Sequence, residues 1–267
     1  MFLDDLNPVV LALVGTSISL TGTVLGAAFS FFTGKAPKVK TQKMFLGFAS
    51  GVMIASAIWS LLLPASEYAI EQNMAEWLPT AVGFVAGAAF LFLMDKLLPH
   101  WHAQSTAPEG LKSGIGKSAK LVFAVTLHNF PEGLAVGLAF ALAGSAGGDA
   151  ITPAAAIALA IGIAIQNVPE GAVISIPLKN EGHSKIKSFL YGSLSGVVEP
   201  FAGVIGAVAA VTVASIIPWA LSFAAGAMIY VVVDELVPDA SSEHTDLGTL
   251  GAIAGFVLMM VLDMAFA

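Results

Sequence analysis

Read along the chain, apolar residues come in long unbroken runs. They lie near residues 8–32, 44–66, 78–98, 119–143, 153–178, 187–213, 217–238 and 247–266, with short polar stretches between them. The runs are apolar on every face, not along one stripe and not at alternate positions. A helix needs ~20 such residues to cross the hydrocarbon core, whereas a membrane β-strand alternates polar and apolar over about ten. The pattern predicts an all-α polytopic membrane protein: eight transmembrane helices in one domain over residues 1–267. Alanine and glycine recur throughout the runs, as close helix packing in lipid favours.

Composition sharpens this picture. Of the 267 residues, 57% are hydrophobic and 11% charged, with a mean hydropathy of +0.87. A soluble domain of this length needs more charge to wet its surface. There is no cysteine, which excludes a disulfide framework and a thiolate metal site. Asp4 and Asp5 precede the first lysine, Lys35, which argues against a cleaved signal peptide. The net charge of −7 argues against a nucleic-acid partner; the partners expected are the lipid bilayer and cations.

The lysines orient the spans. All basic residues are lysine, and they gather around the first, third and fifth loops: Lys35, Lys38, Lys40 and Lys43; Lys96, Lys112, Lys117 and Lys120; Lys179, Lys185 and Lys187. The positive-inside rule makes these loops cytoplasmic and puts both termini outside, in a cell membrane, with a bacterial inner membrane as the expected location. The outer loops carry Glu67, Glu71, Glu76 and Asp149, acids only.

An internal repeat is legible. Phe48-Ala49-Ser50-Gly51-Val52-Met53-Ile54 in span two parallels Phe223-Ala224-Ala225-Gly226-Ala227-Met228-Ile229 in span seven. Gly83, Gly87 and Asp95 in span three have the spacing of Gly251, Gly255 and Asp263 in span eight. The copies are five spans apart, an odd number, so the second copy enters the membrane upside down. Spans two and three are then expected to recur inverted as spans seven and eight, with spans four and five between the copies, an arrangement common in secondary transporters.

Two odd motifs sit inside spans four and five: Leu127-His128-Asn129-Phe130-Pro131-Glu132-Gly133, and Gln166-Asn167-Val168-Pro169-Glu170-Gly171. On a helix His128, Asn129 and Glu132 share one face, and Gln166, Asn167 and Glu170 repeat that face on the next span. Pro131 and Pro169 leave the carbonyls of Leu127 and Ile165 without an intrahelical partner, predicting kinks at that height. Span six adds Glu199 beside Pro200. A carboxylate at the bilayer centre costs roughly 3 kcal/mol, so three cost on the order of 9 by simple addition. A divalent cation would offset that cost. One imidazole, several amide oxygens and three carboxylates make a nitrogen–oxygen set without sulfur, suited to Zn²⁺ and neighbouring first-row ions. The amides could also serve as interhelical hydrogen bonds.

These motifs resemble the ZIP family of divalent-metal transporters, and its GufA-like prokaryotic branch most closely. The resemblance covers essentially the whole chain and implies that spans 1–3 and 6–8 form an inverted repeat around spans 4–5. It implies a mid-membrane metal centre. One site would use His128, Glu132, Gln166 and Glu170. An adjoining site would use Asn129, Asn167 and Glu199, with Glu132 and Glu170 bridging. It further implies that spans 1, 4, 5 and 6 carry the metal as a unit against a scaffold of spans 2, 3, 7 and 8, in an elevator-like motion toward the cytoplasm. Many members have histidine where this chain has Gln166, and some have a carboxylate where it has Asn167. Amide oxygens are weaker zinc ligands, so the second site is expected to be weak and selectivity broad, with Cd²⁺, Fe²⁺ and Mn²⁺ as further substrates. No catalytic cofactor is expected, and a homodimer is compatible with the sequence.

Other chemistry was weighed. His244, Glu243 and Asp239 surround the seventh loop, which is cytoplasmic by topology yet has no lysine; a metal-receiving exit patch would account for that, with Asp234 and Glu235 along the route. His100, His102 and His183 lie in other cytoplasmic loops. An intramembrane metal-dependent enzyme is the first rival reading, but the chain has no HExxH motif. A metal-selective channel is the second. No phosphate-binding G-x-x-x-x-G-K-[ST] loop is present, so this chain is not itself ATP-driven.

Overall fold

The computed structural model describes residues 6–32, 39–98, 114, 116–144, 150–242 and 245–266, the side chains of 117 and 118 excepted. Among them every regular element is helical. Eight helices are long and apolar enough to cross a membrane: α1 (Pro8–Phe32), α2 (Val39–Glu71), α3 (Trp77–Leu97), α4 (Lys117–Ala143), α5 (Pro153–Asn180), α6 (Lys185–Thr212), α7 (Ala214–Ser241) and α8 (Asp246–Phe266). Their centres coincide with the apolar runs. Two starts are fixed by hydroxyl caps: Thr152 accepts from the amide of Ala155 at the head of α5, and Ser184 from that of Lys187 at the head of α6.

α4 and α5 run unbroken through Pro131 and Pro169. The irregular geometry lies elsewhere. α2 and α7 both widen to a π-helix, at Ala57–Leu62 and Val232–Leu236, and both return to α geometry just ahead of a proline, Pro64 and Pro238. π turns of this kind are frequent at functional sites.

The helices pair by close approach of glycine to backbone. α1 lies along α5, where a Cβ on Gly22 would stand 2.0 Å from the Ala164 carbonyl and one on Gly26 2.0 Å from that of Val168. α4 lies along α6, where Gly137 meets the backbone of Gly203. α2 lies along α8 through Gly47, Gly51, Gly251 and Gly255, and α3 along α7 through Gly87 and Gly226. α1 also packs on α4 and α6, so α1, α4, α5 and α6 form one set and α2, α3, α7 and α8 another. Side chains fill the seam between the sets. Gly162 of α5 faces the Met259 thioether of α8, and Phe90 of α3 lies against Phe130 of α4 with ring centroids 5.9 Å apart. One continuous apolar core, including Leu138, Ile163, Met53 and Met228, spans both sets. α3 and α8 are the least buried helices and turn residues such as Val85 and Ile253 outward.

Candidate metal centre

The two proline motifs face each other inside the first set of helices. Asn129 and Glu132 from α4, Gln166 and Asn167 from α5, and Glu199 from α6 are all fully buried. Gln166 donates to Glu132 Oε1 at 2.6 Å, which joins the motifs directly. Asn167 donates to Glu199 Oε1 at 3.0 Å, and Asn129 to the Ser195 carbonyl at 3.1 Å, which draws α6 into the cluster. The backbones can come this close because Gly133, directly after Glu132, sits against the backbone of Glu199. Five of the seven residues expected in the spans therefore meet in one buried cluster.

His128 and Glu170 complete the set from one side. Both line a cleft of about 70 Å³ with Phe45, Leu121, Val173, Glu235 and Asp239. The cleft opens toward the lysine-bearing ends of the helices. At the opposite end a separate cavity of about 290 Å³ is lined by Trp59, Ser60, Glu67, Ala139, Leu159 and Asp263. Its wall residue Ala139 is seven positions from Glu132, about 10 Å along the helix. Ile163, fully buried, stands between Leu159 and Gln166 on α5.

The hydrogen-bond inventory identifies what the cluster is built to hold. Asn129 Oδ1, Glu132 Oε2, Gln166 Oε1, Asn167 Oδ1 and Glu170 Oε2 are buried oxygens that accept no hydrogen bond. Buried polar atoms are nearly always partnered, because an orphan forfeits on the order of 1–3 kcal/mol. Five orphan oxygens on two facing motifs, with an imidazole beside them, have the chemistry of a nitrogen–oxygen donor set.

Several contributors had no place in the sequence reading. Glu199 accepts from Ser19 and, at 3.4 Å, from Thr23, both on α1. The signal was present: Thr16, Ser19, Thr23 and Ser30 recur at helical spacing and are all fully buried. Glu235, expected only along an exit route, has Oε1 2.5 Å from His128 Nε2 and so ties α7 to α4 across the seam. Next to it one oxygen each from Asp95, Asp234 and Glu235 falls within 4.8 Å of the others. Of the expected exit residues, Asp239 lines the cleft, whereas Glu243 and His244 lie outside the described residues, as do His100 and His102. The seventh loop's missing lysine has a local answer: Lys43 of α2, itself buried, donates to the Ser242 carbonyl and to Ser242 Oγ.

Comparison with known proteins gives a consistent result. The family described as ZIP Zinc transporter matches residues 110–263. The chain is similar to zinc transporter ZIP11 of Bos taurus, 36% identical over 96% of this chain and 97% of the relative. It is similar to zinc transporter GufA of Myxococcus xanthus, 36% identical over 95% and 98% of the two chains. It is similar to zinc transporter ZIPB of Bordetella bronchiseptica, 33% identical over 95% of this chain and 81% of that one.

Proposed function

The chain belongs to the ZIP family of zinc transporters, and on that premise we propose that it carries divalent cations into the cytoplasm by alternating access. As a family member it is a multi-pass membrane transporter of zinc and not an enzyme. In our reading the cation is held by His128, Glu132, Gln166 and Glu170, with Zn²⁺ the first substrate and Cd²⁺, Fe²⁺ and Mn²⁺ further ones. The observation that carries this is the group of orphan oxygens: Glu132, Gln166 and Glu170 each offer a buried one, and Glu170 and His128 line a cleft beside them.

The packing supports an elevator-like motion. Glycine-to-backbone approaches lock helices within α1, α4, α5 and α6, and within α2, α3, α7 and α8, while Met259, Phe90 and Phe130 fill the seam. Flexible side chains yield to sliding more readily than interlocked backbones do. The inverted repeat has support as well: exchanging α1 with α6, α2 with α7, α3 with α8 and α4 with α5 maps the helix pairs onto themselves. The π segments of α2 and α7 correspond under the same exchange. A channel is the weaker reading, because buried protein separates the outer cavity from the cluster.

Radioactive zinc uptake into proteoliposomes tests the proposal. Wild type should show saturable uptake, lost in a folded Glu132→Ala, Glu170→Ala variant; unchanged uptake in that variant would place the path elsewhere. Carboxylates bind metal only when deprotonated, so uptake should fall as the outer solution is acidified.

A further inference from the structure

We propose that this carrier moves one divalent cation per cycle, and that Glu199 braces the transport helices instead of ligating a second ion. The inference rests on the functional reading above and deepens it. Three observations carry it.

The first is saturation. Glu132, Glu170, Gln166, Asn129 and Asn167 each keep a buried oxygen without a donor, but Glu199 keeps none. Its Oε2 accepts from Ser19, and its Oε1 from Asn167 at 3.0 Å and from Thr23 at 3.4 Å. A cation taking Glu199 as ligand would have to compete with three donors already placed on its two oxygens, whereas the other five residues each offer an oxygen that no donor occupies.

The second is geometry. Those donors come from α1 and α5, while Glu199 belongs to α6, whose backbone is pressed against Gly133 of α4. Gly171 of α5 approaches the Thr23 carbonyl of α1 to 2.1 Å from a Cβ position, so the bracket has little room to open. The Glu199 carboxylate thus ties α6 to α1 and α5, while the Glu199 backbone packs on α4.

The third is charge. The acidic residues within α1, α4, α5 and α6 are Glu132, Glu170 and Glu199. Glu132 and Glu170 together neutralise one divalent ion. Two such ions bring four positive charges against three carboxylates, leaving an unbalanced charge in a low-dielectric interior, which costs several kcal/mol. Asn167 stands where a fourth carboxylate would complete the balance. Its amide N–H instead supplies a donor to Glu199.

The test is a count of tightly bound zinc on purified, monodisperse protein in detergent, by equilibrium dialysis and elemental analysis. Subtracting the count for a Glu132→Gln, Glu170→Gln variant removes ions held by loop histidines. The expected difference is one ion per chain. Glu199→Gln should keep that ion, since the glutamine oxygen can still accept from Asn167 and Thr23 while its amide N–H donates to Ser19 Oγ, whose own hydrogen turns to the Thr16 carbonyl; Asn167→Asp should bind one ion more than wild type. A difference of two, loss of the ion in Glu199→Gln, or no gain in Asn167→Asp would each overturn the single-ion inference while leaving the transport reading in place. No difference at all would overturn both.

Discussion

The interiors of the two helix sets and the seam between them are built from different materials. Inside each set, glycines let backbones touch. A Cβ on Gly22, Gly47, Gly87 or Gly226 would lie 1.9–2.0 Å from a carbonyl oxygen of the neighbouring helix. At the seam the corresponding glycine, Gly162, faces the end of a methionine side chain, and phenylalanines meet at 5.9 Å. Hydrogen bonds across the seam include His128 to Glu235 near the cluster and Thr152 to the Phe266 carbonyl at the far end. The contrast teaches where motion is cheap. A backbone-on-backbone contact has one geometry, whereas thioethers and rings repack at little cost. The proposed cation ligands all belong to one set, so a slide along the seam would move the site without dismantling it.

The largest expected effect comes from filling an interior glycine. Gly22→Ala puts a methyl group into the Ala164 carbonyl and should cost more than the roughly 1–3 kcal/mol typical of overpacking. Gly162→Ala meets only the movable Met259 and should cost less than that range. Thermal unfolding in detergent compares the two; equal losses would remove the distinction between interior and seam.

Next in size is the tie at the seam. A hydrogen bond to a charged group is worth about 1.5–3 kcal/mol, so Glu235→Ala should shift the balance away from the state with an open cleft by roughly 10- to 100-fold. The alkylation rate of Val173→Cys, placed in the cleft wall, reads this directly in a chain with no native cysteine. A rate unchanged by Glu235→Ala would show that the tie does not hold the state.

The smallest effect is expected at the cleft mouth. Asp239→Asn removes one partly solvated charge from the wall and should lower initial uptake by about two- to threefold, in line with the modest energies of exposed charges. A loss as large as that of the Glu132 and Glu170 variant would make Asp239 a ligand.

The sequence made much of this visible for physical reasons. Hydrocarbon demands apolar runs of a fixed length, so the eight helices could be counted from the sequence. Charged and amide residues inside such runs are costly, so His128, Asn129, Glu132, Gln166, Asn167, Glu170 and Glu199 stood out, and five of them prove fully buried together. Serine and threonine are cheap inside a membrane helix because they can bond to their own backbone, as Thr16 does to the Ala12 carbonyl. Ser19 and Thr23 therefore raised no alarm although they hold Glu199. The Glu235 contact with His128 joins residues 107 positions apart and depends on how α7 lies on α4, which no local pattern encodes. The π segments were equally hidden, since an apolar run reads the same whether its helix has α or π geometry.

The most direct test of the central claim, that one set of helices carries the cation past the other, is reversible cross-linking combined with zinc uptake. Phe90→Cys with Phe130→Cys bridges the seam; Phe31→Cys with Phe189→Cys joins α1 to α6 inside the moving set, where the rings lie 5.2 Å apart. Bifunctional thiol reagents of graded length cover the spacing of both pairs. The account predicts that the cross-seam link stops uptake, that reduction restores it, and that the internal link leaves uptake intact. Full uptake with the seam locked would contradict it.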